Sequence, residues 1–549
     1  MPERVLSVVI VGGGISGIAQ AVRLQEQLGD RVDLTIYERS YESGGVWAHS
    51  KWRGAGVDVP IHLYSLYSHP YAGFTTKYAH RDEVLAYWRR IAARHGVARK
   101  IKFHTEFIAS HWNNDTQQHS ITLRNTLTKE TYTVVADFLI AANGALNQPL
   151  LPNIPGRDTF RGVQFHSSKW NTDIDLRNKR VAVVGNGSTA IQSLPGIVDT
   201  EGIEVINFIR SPGYFRPKIN YEYSRLTKFV FQYVPFALKL YRFVTFQRYD
   251  WGVVVQGTGK YATKLREKVA NNILSYMREE LPQKYWSQLL PDYPLDCKRV
   301  GYDTGWLRSF RKENVDLVSS AIVRVTETGI ETADGRSFPL DVIIWGTGFA
   351  VTDTGIGLNH GVYGEDGIEL SEKYKQAGGA YGYLGVAMPD VPNYFAVLGP
   401  NAIAMSWGYT LRNNTEFIAR IIKGLYDRKL SSIVVKKDVI DEYNKYIQFR
   451  VSNSIWYSPD CGSSWYKDRA SSKVTVPAPF GATELWALTR KIKWEDWKCR
   501  QLVLPQPSGK PQLVEVAVRT PWNWTPFGTL VDWFAERRRK TFESAMVAK

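Results

Sequence analysis

Short apolar runs that break abruptly into glycine recur along this chain of 549 residues. The first run, Val8–Val11, ends in the turn Gly12–Gly17, and apolar residues then follow at helical spacing through Leu24. A second apolar run, Val32–Tyr37, closes on Glu38. An apolar run, a glycine turn and a helical period in this order predict a strand, a tight turn, a helix and a second strand.

The same pattern returns near residue 180. Arg180–Val184 predicts a strand, Gly185–Ala190 a glycine turn, and the apolar residues that follow predict a helix. The second strand of this unit, Val205–Ile209, ends on Arg210 and Ser211 instead of on an acid. Two such units in one chain predict two Rossmann-like folds with parallel sheets.

The rest of the pattern divides the chain into domains. Asp137–Gly144 and Asp341–Phe349 are apolar strands that end in small residues, and Pro149, Pro152 and Pro155 indicate a linker. The predicted fold class is α/β, with two Rossmann-like dinucleotide-binding domains and a helical, aromatic and basic insertion. The predicted bounds are 1–148 and 350–549 for the first domain, 149–215 and 298–349 for the second, and 216–297 for the insertion.

The first glycine turn has the chemistry of a dinucleotide site. Gly12 permits the turn, Gly14 lets the backbone approach a pyrophosphate, and Gly17 lets helix and strand pack closely. The free N–H groups of the helix then face the phosphates. Glu38 is placed to accept hydrogen bonds from ribose hydroxyls. The alternative is a glycine turn that simply joins core elements.

The second turn differs at its ribose end. Arg210 can pair with a 2′-phosphate, which a carboxylate would repel, and Lys298 is a candidate second partner. We therefore expect FAD in the first domain and NADPH in the second. A solvated strand end is the alternative for Arg210.

Composition narrows the class of protein. The hydrophobic fraction is 44% and the charged fraction 22%, as in ordinary globular proteins. Three cysteines lie far apart without a CxxC pair, so we expect no disulfide framework, no metal site and no dithiol redox pair. The first strand begins almost at Met1, which leaves no room for a signal peptide and predicts a cytoplasmic protein.

The net charge of +16 is compatible with binding to nucleic acid, to an anionic membrane or to polyanionic cofactors. No nucleic-acid motif accompanies it, so cofactor phosphates with a basic surface are preferred. The apolar segment 226–246 contains Lys228, Pro235, Lys239 and Arg242, which argues against a transmembrane helix. A packed insertion that contacts substrate is preferred over an in-plane membrane helix, and the basic run Arg537–Lys540 is interpreted as a solvated face.

A third motif adds a family resemblance. Phe160, Gly162, His166 and Trp170 fit the fingerprint F-x-G-x-x-x-H-x-x-x-W, and only the following Asn171 departs from it. With both glycine turns, the chain resembles the class B flavoprotein monooxygenases, specifically the type I Baeyer-Villiger monooxygenases, and looks most similar to fungal-type members. Sibling flavin-containing and N-hydroxylating monooxygenases typically differ at the place of Trp170.

The resemblance implies roles for particular residues. Arg299 would support the anionic flavin peroxide and polarise the substrate carbonyl, with Asp58 beside it; Trp465 would close on NADP, and His166 would couple the domains. The cofactor contacts implied by the motifs and the resemblance are Gly12, Gly14, Ile15, Ser16, Gly17, Glu38, Gly45, Val46, Trp47, Asp58, Tyr64, Phe107, Gly185, Asn186, Gly187, Ser188, Thr189, Arg210, Ser211, Lys298, Thr347 and Trp465. The alternatives are an ordinary ion pair for Arg299, a loop N-cap for Asp58 and a core position for Trp465.

The function that this resemblance implies is conversion of a ketone to an ester or lactone with NADPH and O2, through a C4a-peroxyflavin. Two alternatives stay open. The first is oxidation of sulfur or nitrogen in small molecules, for which Arg299 would be dispensable. The second is a non-catalytic flavoprotein in peripheral contact with a membrane. The expected partners are a small-molecule ketone and O2, without nucleic acid.

Overall fold

The computed structural model of the protein describes residues 4–351, 360–404, 406–462, 464–503, 512–520 and 542. The basic run Arg537–Lys540 lies outside these described residues. The strands are β1 Leu6–Val11, β2 Val32–Tyr37, β3 Ile101–Lys102, β4 Thr105–Asn113, β5 Gln118–Asn125, β6 Thr131–Ala136, β7 Phe138–Ala141, β8 Val163–His166, β9 Arg180–Val184, β10 Glu204–Phe208, β11 Phe215–Pro217, β12 Gly301–Asp303, β13 Val315–Val318, β14 Ile322–Thr326, β15 Gly329–Thr332, β16 Ser337–Pro339, β17 Val342–Trp345, β18 Val362–Tyr363, β19 Tyr394–Ala396, β20 Ser432–Val435, β21 Trp497–Val503 and β22 Gln512–Val516.

The helices are distributed around these strands and in the insertion. They are α1 Ile15–Leu28, α2 Val46–His49, α3 Ile61–Tyr64, α4 Arg81–Arg94, α5 Ser188–Ile197, α6 Arg225–Tyr233, α7 Ala237–Asp250, α8 Lys260–Glu280, α9 Trp286–Leu289, α10 Trp306–Ser309, α11 Leu370–Gln376, α12 Trp407–Asp427, α13 Lys437–Ser452 and α14 Ala482–Thr489.

The first glycine turn belongs to a parallel sheet of five strands in the order β19-β7-β1-β2-β3. Strand β1 is central and almost wholly buried, which explains its continuous apolar run. Helices α1 and α12 pack on this sheet around one large core. The return of β19 to this sheet shows that the chain comes back to the first fold after the second.

The second glycine turn belongs to another parallel five-stranded sheet, in the order β13-β10-β9-β17-β8. Its core is separate from that of the first sheet. The predicted α/β class with two Rossmann-like folds is therefore confirmed. The predicted domain bounds stay a prediction.

The insertion is helical, as predicted, and contains α6 to α9. Its packing differs from the prediction, because many apolar side chains of α6 and α7 are exposed instead of buried. Helical spacing alone shows which residues share a face, but it does not show whether that face has a partner. Among the described residues, no helix combines the length and apolar character that crossing a bilayer requires.

Candidate active site and cofactor sites

The first glycine turn lies at the carboxyl end of β1, where α1 begins. Gly12 has φ +112°, and a Cβ there would lie 2.5 Å from the carbonyl oxygen of Ala142. Gly14 is the N-cap of α1 and provides no side-chain cap. A Cβ on Gly45 would lie 2.9 Å from the Cα of Gly14. Two glycine loops therefore meet beside an uncapped helix N-terminus, an arrangement that fits a pyrophosphate.

Glu38 ends β2 beside this turn and is buried. Its Oε2 accepts a 2.6 Å hydrogen bond from the backbone N–H of Gly13, and its Oε1 accepts one of 2.9 Å from that of Ser40. Each carboxylate oxygen retains further acceptor capacity. The carboxylate is thus held in place with lone pairs left for ribose hydroxyls. Ile15, Ser16 and Gly17 form the first turn of α1 next to it.

An aromatic pair follows the second glycine loop. Val46 and Trp47 start α2, and the indole Nε1 of Trp47 donates a 2.9 Å hydrogen bond to the hydroxyl of Tyr64 on α3. Burial raises the pKa of Tyr64 well above its ordinary value, so the phenol keeps its proton. Phe107 is partly buried on β4 against a different core cluster, and its role as a cofactor contact stays a prediction.

Arg299 and Asp58 meet although 241 residues separate them in the chain. The Nη2 of Arg299 donates to Oδ2 of Asp58 at 3.1 Å, and the two side chains are 39% and 10% exposed. No other hydrogen-bond partner of this guanidinium is found in the part of the chain that the structure describes. Its remaining donors are therefore available to a ligand.

Two residues that the sequence analysis missed complete this cluster. The Nε2 of Gln192, on α5, donates to Oδ1 of Asp58 at 2.9 Å and to the backbone oxygen of Gly56 at 3.1 Å. The Nζ of Lys218 lies 4.0 Å from Oδ1 of Asp58. Burial lowers the pKa of Lys218, while the charge of Asp58 opposes that shift. A glutamine on the apolar face of a helix, as at Gln192, is a sequence signal for a buried polar contact. Nothing in the sequence distinguishes Lys218 in this way.

The second glycine turn repeats the geometry of the first. Gly185 has φ +118°, and a Cβ there would collide with the carbonyl oxygen of Gly346, whereas the space beside Gly187 is open. Gly187 is the N-cap of α5, which Ser188 and Thr189 begin, and it provides no side-chain cap. The side-chain amide of Asn186 donates to the backbone oxygen of Ser211 at 2.8 Å.

Arg210, Ser211 and Lys298 come together at the end of β10. The Nζ of Lys298 donates to the hydroxyl of Ser211 at 3.4 Å. Burial lowers the pKa of Lys298, and the positive charge of Arg210 lowers it further, so the two cations are close neighbours. Arg210 is exposed. Two cations and a hydroxyl beside an open glycine turn fit the 2′-phosphate of NADPH.

His166 of the fingerprint connects the second sheet with the segment after β17. Its Nδ1 accepts from the backbone N–H of Ser168 at 3.1 Å, so the proton lies on Nε2, which donates to the backbone oxygen of Gly348 at 2.9 Å. Thr347 donates its hydroxyl to the backbone oxygen of Leu150, in the linker. These hydrogen bonds fit a segment that couples the two domains.

Trp465 is partly buried, with its ring 4.6 Å from that of Tyr466. Burial and the charge of Asp296 raise the pKa of Tyr466, whereas the positive charge of Arg299 lowers it. Tyr466 is therefore close to Arg299. The segment with Trp465 therefore lies beside the segment with Arg299. Closure of Trp465 on NADP stays a prediction.

The same two segments are joined by a disulfide between Cys297 and Cys461, with the Cα atoms 4.8 Å apart. The expectation of no disulfide framework is therefore wrong for these two cysteines. Their separation of 164 residues hides the pairing in the sequence, because the fold alone brings them together. Cys499 is free and buried.

One glycine turn lies beside a carboxylate and the other beside two cations, and a guanidinium contacts the loop 52–58, which in turn contacts α5 of the second fold. This combination is typical of a flavoprotein oxidoreductase that uses a nicotinamide nucleotide. Residues 6–193 match the family model of the pyridine nucleotide-disulphide oxidoreductases. The chain is 30% identical over 518 residues to a Baeyer-Villiger monooxygenase of Streptomyces coelicolor, covering 91% of this chain and 93% of the relative. The chain belongs to the Baeyer-Villiger monooxygenases.

Further comparisons agree. The FAD-binding monooxygenase ktnD of Aspergillus niger is 28% identical over 510 residues, covering 89% of this chain and 81% of the relative. Cyclohexanone monooxygenase from Rhodococcus sp. Phi1, solved bound to NADP+, shares the fold with a TM-score of 0.79 at 21% identity, covering 91% of this chain and all of that one. The predicted family, monooxygenase class and cofactors FAD and NADPH are confirmed. The finer expectation of a fungal-type member stays a prediction, because relatives come from bacteria and fungi alike.

Proposed function

We propose that this chain inserts one oxygen atom of O2 beside the carbonyl carbon of a ketone. The balanced reaction consumes ketone, O2, NADPH and a proton, and yields an ester or lactone, NADP+ and water. The observation that carries this proposal is the Arg299–Asp58 pair, which lies where the loop 52–58 of the first fold meets α5 of the second.

The expected cytoplasmic location stays a prediction.

The two cofactor sites follow from the glycine turns. The cradle of Gly12, Gly14 and Gly45 with Glu38 fits FAD, and the turn at Gly185 with Arg210 and Lys298 fits NADPH. Bound FAD, reduced by NADPH, supplies the activation of O2. We infer that the FAD site belongs to the first predicted domain and the NADPH site to the second.

Arg299 supplies a permanent positive charge to the reaction. Its guanidinium cannot lose its proton at physiological pH, whereas a lysine in partly buried surroundings can. Asp58 fixes one side of the guanidinium and reduces the unfavourable free energy of burying it. The donors that stay free can stabilise the negative charge that develops on the carbonyl oxygen of the ketone. The Nζ of Lys218 lies 4.0 Å from Oδ1 of Asp58, the carboxylate oxygen that Arg299 does not contact.

The test compares ketone and sulfide oxidation in an Arg299→Ala variant. We expect ketone oxidation to fall by about 10²–10³-fold, the usual effect of removing one group that stabilises a developing oxyanion. Sulfide oxidation develops no negative oxygen on a carbonyl carbon and should fall much less than ketone oxidation. Arg308→Ala is the matched control, because Arg308 is an exposed arginine paired with Glu280. Equal loss of both activities would refute the assigned role.

A further inference from the structure

The outer face of the helical insertion is an exposed apolar surface. Helices α6 and α7 form a hairpin, and their apolar side chains at helical spacing point away from the protein. The most exposed of them are Phe236 at 74%, Leu226 at 72%, Tyr233 at 68%, Leu240 at 62%, and Phe229 and Phe243 at 57% each. We call these six residues the hairpin face. Several large exposed apolar side chains on one element are a feature of interaction sites.

The opposite side of the hairpin is anchored in the protein. Leu238 and Arg242 are buried, and the Nη2 of Arg242 donates to the backbone oxygen of Ser65 at 3.2 Å. The rings of Phe231 and Tyr241 lie 5.4 and 5.6 Å from that of His62. The hairpin is therefore held on its inner side, and the exposure of the hairpin face does not arise from a detached segment.

The tip of the hairpin presents an aromatic ring in an unfavourable backbone conformation. Phe236 has φ +64°, in the left-handed region that bulky residues avoid. Its side chain is nevertheless exposed. The ring at this turn therefore gains no burial that would offset the unfavourable backbone conformation.

Positive charge surrounds the hairpin face. The chain has no Asp or Glu between Glu222 and Asp250, whereas it has five Lys or Arg residues there, of which only Arg242 is buried. The Nζ of Lys239 lies 5.5 Å from the ring of Phe236. Exposed aromatic and aliphatic side chains flanked by cations are the features of an element that lies in the interface of an anionic bilayer.

We infer that the α6–α7 hairpin docks this enzyme on an anionic phospholipid bilayer. The hairpin face would enter the boundary between headgroups and acyl chains, and the flanking cations would contact the headgroup phosphates. A second copy of the chain is a poorer partner, because pairing two hairpin faces would bring the same cations together between molecules of net charge +16.

Docking has a consequence for substrate supply that rests on the proposed ketone oxidation. The hairpin contacts His62, which lies on α3 with Tyr64 and four residues after Asp58. An apolar ketone dissolved in the bilayer would then meet the protein at the hairpin, whose inner side contacts α3. Vesicle binding is measured without turnover, so a failure of docking and a failure of the proposed reaction remain distinguishable.

The experiment is flotation of the FAD-loaded full chain with vesicles of phosphatidylcholine, alone or mixed with phosphatidylglycerol. We expect binding to the mixed vesicles that weakens as salt is added. Phe236→Ser combined with Leu240→Ser should weaken it by at least about tenfold, because two apolar side chains no longer leave water. The matched control is Leu127→Ser, since Leu127 is 67% exposed in a turn outside the insertion. Retained FAD absorbance shows that each variant is folded.

Absence of wild-type binding to the mixed vesicles would overturn the inference, and so would equal binding by the double variant. Light scattering tests the second-copy alternative. A wild-type dimer that becomes monomeric in the double variant, without vesicle binding by either, would assign the hairpin face to self-association and refute membrane docking.

Discussion

Asp58 is the residue on which the charges of the candidate active site converge. It accepts from Arg299 and Gln192, and Lys218 lies 4.0 Å away. With Lys218 protonated, the cluster holds two cations and one carboxylate and has a net positive charge. Such a cluster favours a negative oxygen in a bound ligand over a neutral one.

The residues at the end of β10 predict coenzyme preference. Replacing Arg210 by Ala and Lys298 by Met removes both cations from the proposed 2′-phosphate site. We expect KM for NADPH to rise by at least about tenfold, while KM for NADH changes little, because each lost charge-assisted hydrogen bond weakens phosphate binding. Steady-state kinetics with both coenzymes checks this. The control is Arg161→Ala, an exposed arginine paired with Glu327; a parallel loss with both coenzymes would contradict the assignment.

His62 predicts how stability depends on pH. It is fully buried, and neither ring nitrogen has a hydrogen-bond partner within the described residues. Burial, aided by the nearby charge of Arg242, lowers its pKa from 6.5 to about 3. As the pH falls, His62 therefore binds a proton at higher pH in the unfolded chain than in the folded protein. The free energy of unfolding decreases as pH falls below 6.5 towards 3.

The variant His62→Phe should remove this contribution. Its free energy of unfolding should fall less steeply than that of the wild type over this range, by about 1.4 kcal/mol per pH unit, the effect of one proton. Urea titrations at several pH values measure the difference. His111→Phe is the control, because His111 is exposed and stacks on Tyr363. Parallel pH profiles of wild type and His62→Phe would show that the residue does not titrate this way.

At the scale of elements, α5 connects the two folds. Its first turn forms the second glycine site, and one turn later Gln192 contacts the loop with Asp58. A Cβ on Gly54 would lie 2.5 Å from the backbone oxygen of Gln192, so loop and helix pack tightly. The position of Asp58, and through it that of Arg299, thus depends on the packing of this helix.

The disulfide links two other elements, and its presence is a separate prediction. Of the three cysteines only Cys499 is free, so the air-exposed protein, denatured without reductant, should show one reactive thiol. Cys461→Ser should show two, since Cys297 is released. We also expect this variant to unfold at lower urea concentration, because loss of a native disulfide typically costs about 2–5 kcal/mol. Thiol titration and urea unfolding measure both effects; three reactive thiols in the wild type would contradict the pairing.

At the scale of the whole molecule, local pattern predicts both Rossmann-like folds. Residues 8–11 and 181–184 are buried in central strands, and the glycine turns after them have few structural alternatives. The helices expected after the two glycine turns are observed as α1 and α5. Periodicity fixes such elements because it reflects burial on one face.

Contacts between distant parts of the chain are not encoded in local pattern. The resemblance paired Arg299 with Asp58, but Lys218 and the Cys297–Cys461 bond depend on the tertiary fold. The exposure of Phe236 likewise depends on what packs around it. A local pattern gives the face of an element, and only the assembled fold shows which faces have partners.

The most direct test of the central claim is mass spectrometry of the products formed with NADPH under 18O2 from linear, cyclic and aryl ketones. We predict an ester or lactone that contains one labelled oxygen atom, with one NADPH consumed per product and no label taken up from 18O-water. Ketones recovered unchanged while the holoenzyme oxidises a sulfide, or an ester without the label, would contradict the proposed oxygen insertion at Arg299.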